Sequence, residues 1–197
     1  GAPRSHHEQL FALAREHGFL VVCDEPYADL YVDAPPHSGL QVARENVIAI
    51  HSLSKRSGMT GYRSGFIAAE PRVIAVLREA RSNFGVASQS FVQHAAAAAW
   101  SDDAHVAERR KVFADKRALV LSHLRRLGLQ VGGEGAFYLW VRVPAGETSE
   151  SYAQKLAARH ILVAPGLFFG AEGKGFIRLA MVPTLADCAA AVACWPA

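Results

Sequence analysis

Residues 51–65 read His-Ser-Leu-Ser-Lys-Arg-Ser-Gly-Met-Thr-Gly-Tyr-Arg-Ser-Gly. They place two hydroxyls (Ser52, Ser54), an amine (Lys55) and a guanidinium (Arg63) in one glycine-punctuated stretch, directly after the apolar run 47–50. Hydroxyls, a guanidinium and backbone N–H groups together suit an anionic cofactor. Earlier in the chain, Asp24-Glu25-Pro26-Tyr27 follows another apolar run, Phe19-Leu20-Val21-Val22-Cys23. Ligands of open α/β sheets bind outside the carboxyl ends of the strands, so both segments stand where chemistry is done. Taken alone, Asp24 reads first as a cap or turn residue.

The elements that would hold these groups follow from periodicity. Residues 5–17 carry Leu10, Phe11, Leu13 and Ala14 at helical spacing and stop at Gly18. The short continuous apolar runs 19–23 and 47–50 predict parallel strands covered on both faces, and 65–69 is a weaker third candidate. Helical patterns at 71–82 and 89–100 complete an alternation of strands and helices, an α/β layer fold. From 103 to 127 one helix of about seven turns is expected, ended by Gly128 and able to bridge two domains. Strand candidates follow at 129–132, 137–143, 161–164 and 175–181, with helices at 149–160 and from 184, an α+β pattern. The chain thus reads as residues 1–100 in one domain and 101–197 as a linking helix with a second, smaller domain.

Composition narrows the class. Half the residues are apolar and a fifth charged, as in an ordinary globular protein. The densest basic run, Arg109-Arg110-Lys111, lies beside Glu108 and Asp115 and reads as a solvated helix face, so no nucleic-acid footprint is indicated. Cys23, Cys188 and Cys194 form no CxxC pair, which indicates neither a disulfide framework nor a zinc knuckle, and no metal site is expected. No apolar run approaches the roughly 20 residues that span a bilayer, so no membrane partner is expected and a cytoplasmic location is the default. No GxGxxG follows a strand, which gives no support to a nicotinamide site.

The ordered motifs resemble the fold-type I, class I/II aminotransferases, which depend on pyridoxal 5'-phosphate (PLP). The resemblance rests on the D-E-x-Y strand end, the S-x-S-K-x-x-x-M-x-G-x-R-x-G loop, and the later segments Ala136-Phe137-Tyr138-Leu139-Trp140, Pro165-Gly166-Leu167-Phe168-Phe169-Gly170 and Ile177-Arg178-Leu179. It implies an aspartate aminotransferase-like fold, with an incomplete large-domain α/β/α sandwich in residues 1–100 and a small α+β domain in 101–197. It makes Lys55 the Schiff-base lysine and proton carrier. Asp24 would pair with the pyridinium nitrogen, Tyr27 would donate to the phenolic oxygen, Ser52, Ser54 and Arg63 would hold the phosphate, and Arg178 would clamp the substrate carboxylate.

The same resemblance implies amino-acid and 2-oxo-acid substrates and a homodimeric parent enzyme. The loop 52–66 is most similar to N-succinyl-diaminopimelate aminotransferases of lysine biosynthesis, which use glutamate as donor. The alternatives are a PLP enzyme of other reaction specificity, such as a C–S lyase, and an inactive fragment. A complete member is much longer, and Gly1-Ala2 looks like the tail of the family's N-P-T-G motif. The sheet is therefore expected to lack strands, with an exposed edge and an uncovered apolar face.

Overall fold

The computed structural model describes residues 2–85, 87–133, 135 and 137–196. The chain divides into two compact units, Gly1–Arg109 and Arg110–Ala197.

The first unit is built on a three-stranded sheet in the order β1 (Val21–Asp24), β2 (Val47–Ser52), β3 (Gly65–Ala69). β1 and β2 are parallel, with Val21 opposite Val47 and Asp24 opposite Ile50, so both carboxyl ends emerge at one edge. β3 runs antiparallel to β2, pairing Ser52 with Gly65, which differs from the parallel strand its apolar run predicts. A loop of only twelve residues separates the two strands, which suffices for an antiparallel return but leaves little room for a parallel crossover.

Helix α1 (Arg4–His17) ends at Gly18, whose φ of 70° lets its N–H turn back to Ala14 O. Its buried Phe11 and Ala14 pack with Val21 and Val47, and Cys23 and Leu40 join this core at its margin. Leu40 belongs to α2 (Gly39–Val42), a single turn with a Ser38/Gln41 capping box. Helix α3 (Leu53–Arg56) follows β2 directly. Helices α4 (Pro71–Asn83) and α5 (Ser90–Trp100) lead to α6 (Ala104–Arg126), which starts in the first unit and continues into the second.

The expectation of strands covered on both faces holds for the central strand β2, where Val47, Ile48 and Ala49 are buried in succession, and fails for β1 and β3. Phe19 and Leu20 precede β1 and are exposed, Val22 is 56% exposed, and on β3 Phe66 and Ile67 are exposed as well.

The second unit carries a four-stranded antiparallel sheet in the order β4 (Val131–Gly132), β5 (Tyr138–Arg142), β7 (Phe176–Ala180), β6 (Ala164–Pro165). Burial alternates along β5 and β7, hiding Leu139, Val141, Ile177 and Leu179. Helix α7 (Ser149–Ala157), capped by Thr148 and Ser151, adds buried Tyr152 and Leu156 and lies against β6 and β7. Phe113 of α6 meets Phe137 at 5.2 Å between ring centroids. Helix α8 (Leu185–Cys194) closes the unit, and Trp195 Nε1 donates to Tyr152 Oη at 3.0 Å.

Candidate active site

The site is assembled at the carboxyl ends of β1 and β2. Glu25 N–H donates to Ile50 O at 2.9 Å, which stitches the Asp24–Tyr27 turn to the strand that leads into the lysine loop. Asp24 is exposed at the end of β1, and Tyr27 is partly exposed. His51 is held structurally: Nε2 stands 3.2 Å from Glu25 Oε2, and the ring stacks on Phe66 at 4.9 Å. Burial and the nearby Glu25 carboxylate push the Cys23 thiol up from its ordinary range, consistent with a packing role.

Ser52 ends β2 and caps α3, its Oγ accepting from Ser54 N–H at 3.1 Å. The same hydroxyl meets Ser54 Oγ at 3.0 Å, so the two hydroxyls form one polar cluster. Leu53 is fully buried and pins the turn: its N–H donates to Ser64 O, while its own carbonyl accepts from Ser57 and Met59. Lys55 thus sits on a single turn whose first and last residues, Leu53 and Arg56, are buried. Its Nζ lies 5.9 Å from the centre of the Tyr27 ring.

Arg63 is one of three described non-glycine residues with positive φ, at 51°. An αL conformation in a long side chain costs on the order of 1 kcal/mol or more and is kept where the surroundings fix it. Here Arg63 Nη1 donates to Thr60 O at 2.9 Å, and the loop then returns through Gly65, where an added Cβ would run into the His51 carbonyl oxygen.

The structure therefore brings Lys55 to Tyr27 and Ser52 to Ser54, and sets Asp24 at the same sheet edge. Arg178 belongs to the second unit, on β7 opposite Trp140 and Ala164. Its guanidinium lies 4.2 Å from the ring centres of both Tyr138 and Phe169, an aromatic setting that orients a planar cation. Ala136, quoted in the sequence motif, lies outside the described residues.

Further residues take part that the sequence did not single out. Arg56 is 5% exposed, pairs with Asp29 and Asp103, donates to Ala99 O at 2.8 Å and covers the Trp100 ring. His105 Nδ1 meets Asp102 Oδ2 at 2.9 Å, and its Nε2 meets Ser57 Oγ at 2.9 Å. That ring bond, together with the Ala104 N–H, holds the Asp102 carboxyl below its ordinary range. Arg109 reaches the lysine turn rather than solvent, which corrects its reading as part of a solvated face, while Lys111 is exposed as that reading expects. His105 and Arg109 stand four residues apart on α6, so they share one face of that helix.

Among the described residues no helix is long and apolar enough to cross a membrane, and no cluster of three His, Cys, Asp or Glu side chains could hold a metal ion.

The whole chain is similar to known proteins. The 4-dedimethylamino-4-oxo-anhydrotetracycline transaminase OxyQ of Streptomyces rimosus is 38% identical over 94% of this chain and 53% of its own length. The LL-diaminopimelate aminotransferase of Oleidesulfovibrio alaskensis is 33% identical over 91% of this chain and 48% of its own length. A solved structure of a probable N-succinyldiaminopimelate aminotransferase from Thermus thermophilus superposes with a TM-score of 0.87 at 27% identity, covering 98% of this chain and 53% of that one. The fold is that of the aspartate aminotransferase-like PLP-dependent transferases. The chain spans about half the length of the curated relatives it matches. Since residues 2–194 match the family model for aminotransferase class I and II, the chain belongs to that family.

Proposed function

We propose that this chain carries the lysine half of a PLP-dependent aminotransferase, which moves an amino group between an amino acid and a 2-oxo acid. The observation that carries the reading is the placement of Lys55 Nζ 5.9 Å from the Tyr27 ring, at the edge where the parallel strands β1 and β2 end. The donor set fits the cofactor: an amine for its aldehyde, clustered Ser52 and Ser54 hydroxyls with Arg63 in the same loop for its phosphate, and Asp24 as a carboxylate for its ring nitrogen. PLP, when bound, supplies an electron sink for the electrons released at the substrate α-carbon.

Each residue then has a task of its own. Lys55 would hold the cofactor's aldehyde carbon until the substrate amine displaces it, and its freed amine would then carry the proton to and from the substrate α-carbon. Asp24 would keep the ring nitrogen protonated by ion pairing, and Tyr27 would donate a hydrogen bond to the phenolic oxygen. Arg178 takes the substrate carboxylate in a two-point pair, which orients the Cα–H bond for cleavage. In this reading residues 1–100 form the later part of the large domain, and 101–197 form the linking helix and small domain. The family resemblance supports a cytoplasmic homodimer for the whole enzyme.

For the substrate, the reading is N-succinyl-diaminopimelate with glutamate as amino donor. Its supports are the loop 52–66 and the similarity to the Thermus thermophilus structure. The test is a donor and acceptor screen on the chain with PLP, following formation of 2-oxoglutarate from glutamate. Stoichiometric 2-oxoglutarate with amination of the succinylated keto acid supports the reading. Release of pyruvate, ammonia and a thiol from a thioether amino acid, without 2-oxoglutarate, would replace it with an elimination reaction.

A further inference from the structure

We propose that Arg109 is a positioning residue for Lys55, holding the lysine turn by a two-point clamp on its backbone. The inference rests on the reading of Lys55 given above. Arg109 Nη2 donates to the carbonyl of Lys55 itself at 3.3 Å, and Nε donates to the carbonyl of Arg56 at 3.1 Å.

The turn needs such a partner. α3 has four residues, and Ser57 N–H to Leu53 O closes it at 3.0 Å. The last carbonyls of any helix find no acceptor role within it, and a one-turn helix has no cooperative length to hold its shape. A cation that donates to those carbonyls satisfies them and also opposes the negative end of the turn's dipole.

The loop is shaped around this clamp. Gly58, with φ of 71°, follows the turn, and a Cβ there would lie 2.8 Å from Arg109 Nη1 and 3.1 Å from its Cζ. A side chain at 58 would crowd the guanidinium where it closes on the two carbonyls, besides being strained at that φ. The neighbouring residues are tied to the start of α6 as well, Arg56 to Asp103 and Ser57 to His105, so three successive residues from Lys55 are fastened. Arg109 alone of these touches the Lys55 backbone in the bonds described. A lysine could not replace it, since one ammonium on a flexible stem lacks the rigid fork that spans two carbonyls.

The test is hydrogen exchange by mass spectrometry on the whole chain without PLP. Arg109→Gln is expected to speed exchange of the amides of Lys55–Ser57 about tenfold, with α1 and β5 unchanged. Arg109→Lys is expected to recover only part of that protection. The PLP concentration needed for half-maximal visible absorption is expected to rise about tenfold in Arg109→Gln. Unchanged exchange in the turn overturns the clamp, as does uniform acceleration across the chain, and full protection by Arg109→Lys overturns its two-point character. If the unaltered chain shows no PLP absorption, the assignment of Lys55 fails while the exchange pattern alone decides the clamp.

Discussion

The two sheets of this chain bury their side chains in different ways. In the second unit, β5 and β7 alternate, with Leu139, Val141, Ile177 and Leu179 inside and their neighbours more open. In the first unit the strands are largely apolar, yet cover is uneven: on the central β2 the successive residues Val47, Ile48 and Ala49 are buried, while Val22 on β1 and Phe66 and Ile67 on β3 are open. A period-two pattern specifies a sheet that finds its own cover, whereas a continuous apolar run specifies one that awaits cover on both sides. The site residues sit on the second kind. Their geometry consequently leans on local devices, such as the Ser52 cap, the buried Leu53 and the Arg56 and Arg109 anchors, more than on a deep core.

Mutations sharpen the contrast, beginning with the largest effect. Leu139→Ala removes a side chain with no exposure, and a cost of about 2–5 kcal/mol is expected in urea unfolding followed by Trp140 and Trp195 fluorescence. Gly65→Ala drives a methyl group into the His51 carbonyl beside Ser52, for an expected cost of about 1–3 kcal/mol and a weaker PLP spectrum. Ile67→Ala, at a residue 43% exposed, is expected to cost about 1 kcal/mol or less; a loss as large as that of Leu139→Ala would show that this face is already covered.

A pH effect separates the units further. Burial, aided by nearby Arg126, lowers the pKa of His123 on α6, and its Nε2 is buried without a hydrogen bond. The unfolded chain therefore binds the proton more tightly than the folded one. His123 costs nothing above the ordinary histidine range near 6.5 and removes stability as pH falls below it. Acidification should thus lower the unfolding midpoint of the second unit, and His123→Gln should flatten that dependence.

Much of the architecture was legible because hydrophobic period and helix stops are local. Gly18 and Gly128 mark helix ends, and the strand cores fall where the apolar runs stand. The antiparallel direction of β3 was not legible, since a run of apolar residues carries no sign of strand polarity. The single-turn helices α2 and α3 were missed because four residues are shorter than any helical period that can be recognised. At the site, the motif loop gave the residues with evident chemistry. The residues that brace it, Arg56, His105 and Arg109, act through backbone carbonyls, the Ser57 hydroxyl and acids such as Asp103, contacts that a linear motif does not encode. Arg109 in particular was masked by its neighbours Arg110 and Lys111, which made a specific residue look like part of a charge run.

The most direct test of the account is to mix the chain with PLP, reduce it with borohydride and map the pyridoxyl group by peptide mass spectrometry. The account predicts a single modified residue, Lys55, and loss of both the label and the visible absorption in Lys55→Ala. Labelling on Lys111, Lys116, Lys155 or Lys174 instead, or a label that persists in Lys55→Ala, would contradict it.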